Sequence, residues 1–254
     1  MIDRDTLAEA LDELLEPEDG PVEDVSNNGL QVEGGEHVER IIFGVDACRG
    51  LFDAAVERDA DCIFVHHGLS WGGGLKRLTG MTAGRVRPLF ENGISLYASH
   101  LPLDMHPEVG HNAVLARALE VQGPEPFFDY HGVRIGFGGE LAESLPARDL
   151  SGRLDQFLGS ESLIVGDPTR QIGSVGIVSG GGADAVSECA QVGYDCLITG
   201  EMKHSEYHTA RELDVCVIAA GHYRTETPGV RAVMQWCERR FEVECEFVDL
   251  PTGL

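Results

Sequence analysis

Along the chain, short continuous apolar runs alternate with segments whose apolar residues recur at helical spacing. Leu7, Leu11, Leu14 and Leu15 share a face if residues 4–15 are helical, and Pro17 to Pro21 ends that helix. Asn27 to Gly35 predicts a turn, a short strand and another turn, with Asn28-Gly29 as a plain turn, since both residues tolerate a positive φ. A βαβ pattern follows: strand 41–45, helix 51–58, strand 62–65, a glycine-rich loop Ser70 to Gly74, helix 81–91, strand 94–98 and helix 107–119 with Pro107 in its first turn. The loop reads as a connection or as a lid. Residues 123–170 form a break with a strand over 131–138, a helix over 147–158 and a strand over 162–165. They carry no ligand pattern and read as a β-rich packing or oligomer-forming segment. A second α/β pattern begins near Val175. The expected organisation is 1–122, 123–170 and 171–254, with the outer two segments packed as one unit.

The chain repeats itself. Phe43–Val65 aligns with Ile177–Thr199 without a gap at a constant offset of 134, and both copies carry Asp-Cys before their second strand, at Asp61-Cys62 and Asp195-Cys196. An internal repeat of this kind implies two like supersecondary units. The expected fold is α/β, made of two pseudo-symmetric halves with mainly parallel sheets and a site between them at the carboxyl ends of the strands.

Chemistry collects at those strand ends. Cys62 to Val65 runs into His66-His67-Gly68. Neighbours inside a strand point to opposite faces, so both imidazoles share a site only if the backbone leaves the strand, a turn that Gly68 permits. The pair alone fits two surface histidines equally well. Two further runs shift that balance: Ile94 to His100 with Asp104 four residues on, and Val215 to His222 with Glu226 four residues on, the helix expected to start near residue 228. Imidazole with carboxylate is the donor set of Zn, Mn, Fe or Co. In the second half Gly200-Glu201 takes the place of His66-His67, followed by Lys203 and His204. Glu201 and His204 share a face if a helix has begun, as partners that orient ligands or as a general acid/base pair. Ser179 to Ala183 is a glycine-rich strand-to-helix turn that matches no phosphate-loop pattern. His37, His106, His111, His131 and His208 have no repeat partner and read as ordinary surface or packing residues.

Charge adds a separate expectation. Net −24 comes from 43 acids against 19 bases. Such a chain repels itself in dilute salt, and a Debye length of ~3 Å at 1 M removes that penalty. The balance disfavours electrostatic binding of nucleic acid and predicts a salt-loving source, a haloarchaeon. The expected result is a melting temperature that is low in dilute buffer and rises in molar KCl; full stability without salt would refute it. No apolar run approaches the ~18 residues of a membrane span, the first residues lack signal-peptide character, and the seven cysteines form no CxxC pair, so a reducing cytoplasm is expected.

Five motifs together resemble the Nif-three-like family, also known as GTP cyclohydrolase 1 type 2 homologues: Asn28-Gly29-Leu30-Gln31-Val32, Val65-His66-His67-Gly68, Ser99-His100-Leu101-Pro102-Leu103-Asp104, Thr199-Gly200-Glu201-Met202-Lys203-His204, and Gly221-His222 through Glu226. The resemblance implies a dinuclear centre of Zn, Fe or Mn held by His66, His67, Asp104, His222 and Glu226, with Glu226 as the bridge. It also implies a homohexamer and a small-molecule substrate such as a nucleotide.

Overall fold

The computed structural model describes residues 1–15 and 23–254, so the expected helix end at residues 17–21 lies outside the described residues. The chain forms two compact units, Met1–Leu103 with Val230–Leu250, and Asp104–Gly229 with Pro251–Leu254.

In the first unit β1 (Ile2–Asp3) leads into α1 (Arg4–Leu15), which buries Leu7, Leu11 and Leu15 as its spacing predicts. Then follow β2 (Gly29–Val32), β3 (His37–Val38), β4 (Arg40–Asp46), α2 (Arg49–Glu57), β5 (Cys62–His67), α3 (Gly80–Asn92) and β6 (Ser95–Ala98). A last strand, Glu244–Phe247, pairs in parallel with β4. β4, β5 and β6 are parallel neighbours, and β2 closes the edge antiparallel to β6. Continuous apolar strands are what a sheet covered on both faces requires. Ile42, Ile63 and Leu96 accordingly pack with Leu51 and Phe52 of α2 and Leu89 of α3, all fully buried. Expected strand 62–65 ends later than anticipated, and the ladder continues through Asp46 opposite His67. Both histidines therefore lie within the strand.

The second unit begins at Asp104, within α4 (Leu101–Met105), and continues into α5 (His111–Ala118). The helix expected from Pro107 starts four residues later, because His106 Nδ1 accepts the amides of Glu108 and Val109 and closes a turn there. Residues 123–170 are not a separate piece. They supply most of the hairpin β7 (Val121–Tyr130) and β8 (Val133–Pro146), then α6 (Ala147–Leu158) and β9 (Leu163–Val165). With β10 (Gln171–Val178), β11 (Cys196–Thr199) and β12 (Cys216–Ala219) these make one six-stranded sheet in the order β7-β8-β10-β11-β12-β9. Its parallel centre β10-β11-β12 is flanked by antiparallel strands. α6 turns Leu150, Leu154 and Leu158 into the core with Ile172, Ile198 and Ile218, the i, i+4, i+8 stripe of an amphipathic helix. α7 (Val186–Val192), α8 (His204–Glu212), α9 (His222–Thr225) and α10 (Thr227–Arg240) complete the helices, and β13 is the Glu244–Phe247 strand of the first unit.

The repeat is structural. Phe43 pairs with Phe64 in one parallel triad, and Ile177 pairs with Ile198 in the other, the same register at the offset of 134. The shared Asp-Cys has a shared cause. Asp61 Oδ2 accepts the amides of Glu39 and Arg40 at the start of β4 (2.8 and 3.0 Å). Asp195 Oδ2 accepts those of Gly173 and Ser174 in β10 (2.8 and 3.1 Å). Each carboxylate satisfies two backbone donors just ahead of the point where its strand pairs in parallel with the next. Asp61→Ala and Asp195→Ala are each expected to lower unfolding stability by about 1–3 kcal/mol, as measured by urea denaturation; no change would show that water replaces the carboxylate without cost. Among the described residues no helix is long and apolar enough to cross a membrane.

Candidate metal centre

In the first unit the carboxyl end of β5 carries His66, fully buried, and His67, partly exposed. Beyond β6 stands His100. The three rings pack against one another, with centroids 4.6 Å apart for His66–His67, 5.0 Å for His66–His100 and 5.6 Å for His67–His100. One ring nitrogen from each lies within 4.8 Å of the others, a group able to hold a metal ion. Each ring is oriented through Nδ1. His66 Nδ1 donates to the Ser99 carbonyl (2.9 Å), His67 Nδ1 meets Asp46 Oδ1 (2.9 Å) and His100 Nδ1 meets Asp24 Oδ1 (2.9 Å). A carbonyl only accepts, so on His66 the proton sits at Nδ1 and the lone pair at Nε2. Metal-ligating histidines are commonly held in this way. Sequence reasoning missed Asp46 and Asp24; the signal for Asp46 is a lone carboxylate at the end of an apolar strand.

The plain turn expected at Asn28-Gly29 is a scaffold for this site. Asn28 Oδ1 accepts the His100 amide (2.8 Å) and its Nδ2 donates to Asp24 (3.0 Å). Gln31 Oε1 accepts the amides of Leu69 and Ser70 (2.8 and 3.0 Å), and its Nε2 donates to the Asn27 carbonyl (2.7 Å). The loop after the paired histidines is thus clamped by Gln31. Gly68 has a different reason from the expected one. Its φ is not positive; a Cβ there would stand 2.4 Å from the Gln31 amide and 2.7 Å from the Ala98 side chain. Glycine is required by the close approach of that clamp.

Burial works to raise the Asp24 carboxyl, but the His100 imidazole, the Ser26 amide and the Asn28 amide outweigh it and hold its pKa down at about 2. A carboxyl depressed in the folded state stabilises the fold above its unfolded value of ~3.9, and that contribution is lost as pH falls towards 2. Asp24→Asn is therefore expected to cost about 1–2 kcal/mol at pH 6 and to approach zero difference near pH 2, measured by denaturant titration at both pH values. An equal cost at both would refute the charge as its origin.

In the second unit Asp104 is buried and accepts from Ser179 Oγ (3.0 Å). Asn112 ties the same corner, its Nδ2 donating to the Asp104 and Ile135 carbonyls and its Oδ1 accepting the Ser179 amide. A ring nitrogen of His111 lies within 4.8 Å of an Asp104 carboxylate oxygen. His111 is fully buried, and its Nδ1 accepts the Gly229 amide (3.0 Å). It belongs to the donor-rich corner and not to the surface. Its buried place on α5 was invisible without the true start of that helix.

His222 and Glu226 stand ahead of the helix start expected near residue 228, but helical structure already begins at His222. α9 puts them one turn apart, with His222 Nε2 3.0 Å from Glu226 Oε1. Glu201 Oε1 meets His222 Nδ1 at 2.6 Å. The buried Glu226 carboxylate foremost, opposed by burial and joined by Glu201, raises the His222 pKa to about 9. Glu201 precedes α8, which begins at His204 with Lys203 as N-cap, so Glu201 and His204 do not share a helical face. His204 is exposed. The glycine-rich turn after β10 passes beneath the pair: a Cβ on Gly180 would stand 2.2 Å from Glu226 Oε1 and 3.1 Å from His222 Nε2.

The family profile of Duf34/NIF3 (NGG1p interacting factor 3) matches residues 2–252. The chain belongs to the Duf34/NIF3 family. A relative from Pyrococcus horikoshii, described as a GTP cyclohydrolase 1 type 2 homolog, is 44% identical over 254 residues and the whole of both chains. Among solved structures, protein TTHA1606 from Thermus thermophilus superposes with a TM-score of 0.88 at 40% identity, and protein ybgI, of unknown function, with 0.91 at 34%; each covers the whole of both chains. The Duf34/NIF3 fold is thus the mixed α/β fold expected from the repeat, and the histidine and carboxylate groups able to bind metal belong to a family whose curated members carry the cyclohydrolase-homologue description.

Proposed function

We propose that this Duf34/NIF3 protein is a dinuclear metal-dependent hydrolase acting on a nucleotide or another phosphorylated small molecule. The observation that carries the reading is the orientation of its imidazoles. His66, His67 and His222 each have Nδ1 held by an oxygen, which directs Nε2 towards a ligand. On this reading His66, His67, Asp104, His222 and Glu226 would hold two divalent ions. Three imidazoles and two carboxylates form a nitrogen–oxygen set that fits Zn, Fe or Mn. When bound, the ions supply Lewis acidity towards a water and towards an oxygen of the substrate.

The chain's own residues do the rest. Asp46 and Glu201 fix the tautomers of His67 and His222. His222, with Glu201 at Nδ1 and Glu226 at Nε2, would present a deprotonated Nε2 to a bound cation. Glu201 or His204 moves protons to and from the substrate. Five protein ligands for two ions leave positions for solvent, which favours an enzyme over a closed metal store. The same reading has the protein working in the cytoplasm as a homohexamer, which sedimentation in molar KCl tests.

The deciding experiment is metal content by mass spectrometry on protein purified in high salt, for the wild type and for His66→Ala, followed by assays against GTP and a panel of phosphoesters. About two Zn, Fe or Mn per chain, reduced in the variant, with turnover that EDTA removes, is the expected result. No metal after reconstitution would discard the hydrolase reading. Metal without turnover on any substrate would favour a metal store or regulatory scaffold.

A further inference from the structure

The charge of this chain is not evenly spread. Between Asp61 and Glu91 there is no acidic residue, although acids outnumber bases 43 to 19 over the whole sequence. The same stretch carries Lys76, one of only two lysines, with Arg77, Arg85 and Arg87. It contains the paired histidines. Among the described residues Lys76, Arg77 and Arg85 enter no ion pair, and Lys76 and Arg77 are exposed. In a protein with so many carboxylates to spare, cations kept apart from them answer to an anion from outside.

A second observation comes from geometry. Trp71, four residues after His67 in this segment, is 36% exposed. Its indole is fixed by Nε1 donating to the Gly68 carbonyl (2.7 Å), and it packs edge-on against the His100 ring at 5.1 Å and against His67 at 6.0 Å. The turn it begins is closed by the Gly74 amide donating to the Trp71 carbonyl (2.9 Å). Lys76 folds back onto that turn, its Cε 3.6 Å from where a Gly73 side chain would be. An aromatic face held rigid beside the histidines, with cations a few residues on, is the chemistry that binds a planar heteroaromatic ring carrying phosphate.

We propose that Trp71, Lys76 and Arg77 form the recognition subsite for a nucleotide: Trp71 stacks on the base, and Lys76 and Arg77 pair with its phosphates. This deepens the functional reading above and rests on it for the identity of the neighbouring site, but binding here needs no metal. It makes the Ser70–Gly74 loop part of the site and not a mere connection. Exposed Leu75, Leu78 and Met81 are then the outer wall of the loop.

The test is isothermal titration of EDTA-stripped, full-length protein with GTP, guanosine and inorganic triphosphate. GTP is expected to bind more tightly than either part. Trp71→Leu should weaken GTP and guanosine roughly tenfold without changing triphosphate, and Trp71→Tyr should restore most of the loss. Lys76→Gln with Arg77→Gln should weaken GTP and triphosphate, leave guanosine unchanged and flatten the salt dependence. Absence of GTP binding by the wild type overturns the proposal. So does unchanged GTP binding in both variants, including the case where the charge variant instead lowers the oligomer mass and the segment is a contact between copies. Failure of the hydrolase reading alone would appear as intact GTP binding without metal or turnover.

Discussion

Gly180→Ala is expected to weaken the metal binding proposed for His222 and Glu226 while leaving the first unit folded. Gly180 has φ +61°, and a Cβ would overlap Glu226 Oε1 at 2.2 Å, so the variant meets backbone strain and a buried charged neighbour together. The strain alone costs about 1 kcal/mol. The overlap cannot be relieved at the turn, because Gly180 is tied on both sides. Its amide donates to Thr225 Oγ1 (2.9 Å), and its carbonyl accepts the amides of Gly200 and Glu201 (3.0 Å each). Glu226 must therefore swing, and with it the His222 ring it partners. Metal content by mass spectrometry is expected to fall, with metal affinity reduced roughly tenfold or more and the melting temperature lowered. Gly181→Ala is the control, since a Cβ there meets only His222 Cε1 at 3.9 Å. Metal loss in Gly181→Ala equal to that in Gly180→Ala, or none in either, would refute the argument.

The same turn shows what the sequence could and could not reveal. Ser179 to Ala183 reads as a tight strand-to-helix connection, and so it is; that Gly180 is required by a carboxylate depends on Glu226, which lies far along the chain. The repeat was legible because apolar strand patterns and an Asp-Cys pair recur at one offset, and those features are local. α6 was legible over its whole length, since a stripe of Leu150, Leu154 and Leu158 states its period directly. The β7 arm of the hairpin was not, although the strand expected over 131–138 falls on β8. β7 exposes most of its residues and carries Pro124 and Pro126, so neither alternation nor propensity marks it. It is held by pairing to β8, and Glu188 accepts the amides of Phe128 and Asp129. Short helices α4 and α9 were also hidden: one turn of helix has too few positions to show a period. The candidates His66, His67, Asp104, His222 and Glu226 could be singled out because each stands at a strand end or in the short segment that follows one. Asp46, which holds His67, Asp24, which holds His100, and Asn112, which ties the backbone at Asp104, could not, because their roles exist only once strands and loops are brought together.

Glu201→Gln separates the two roles open to that carboxylate. If Glu201 orients His222, the amide can still contact Nδ1 but no longer draws the proton to it, and metal affinity should fall about 10–100-fold. If it is chiefly an acid or base, metal affinity should hold while turnover falls by roughly 10²–10⁴-fold. The 2.6 Å contact to His222 favours the first outcome. Asp46→Asn is the matched change in the other unit, where Asp46 meets His67 Nδ1 at 2.9 Å, and should give a loss of the same order. Competition with a chromophoric chelator measures both. His204 supplies the contrast: exposed at the start of α8, it should leave chelator competition unchanged when replaced by alanine. A drop in turnover for His204→Ala without metal loss would assign proton transfer to His204 and orientation to Glu201. Undiminished affinity in both Glu201→Gln and Asp46→Asn would mean that the rings are held by packing alone, and the carboxylates would then have to be explained by the reaction itself.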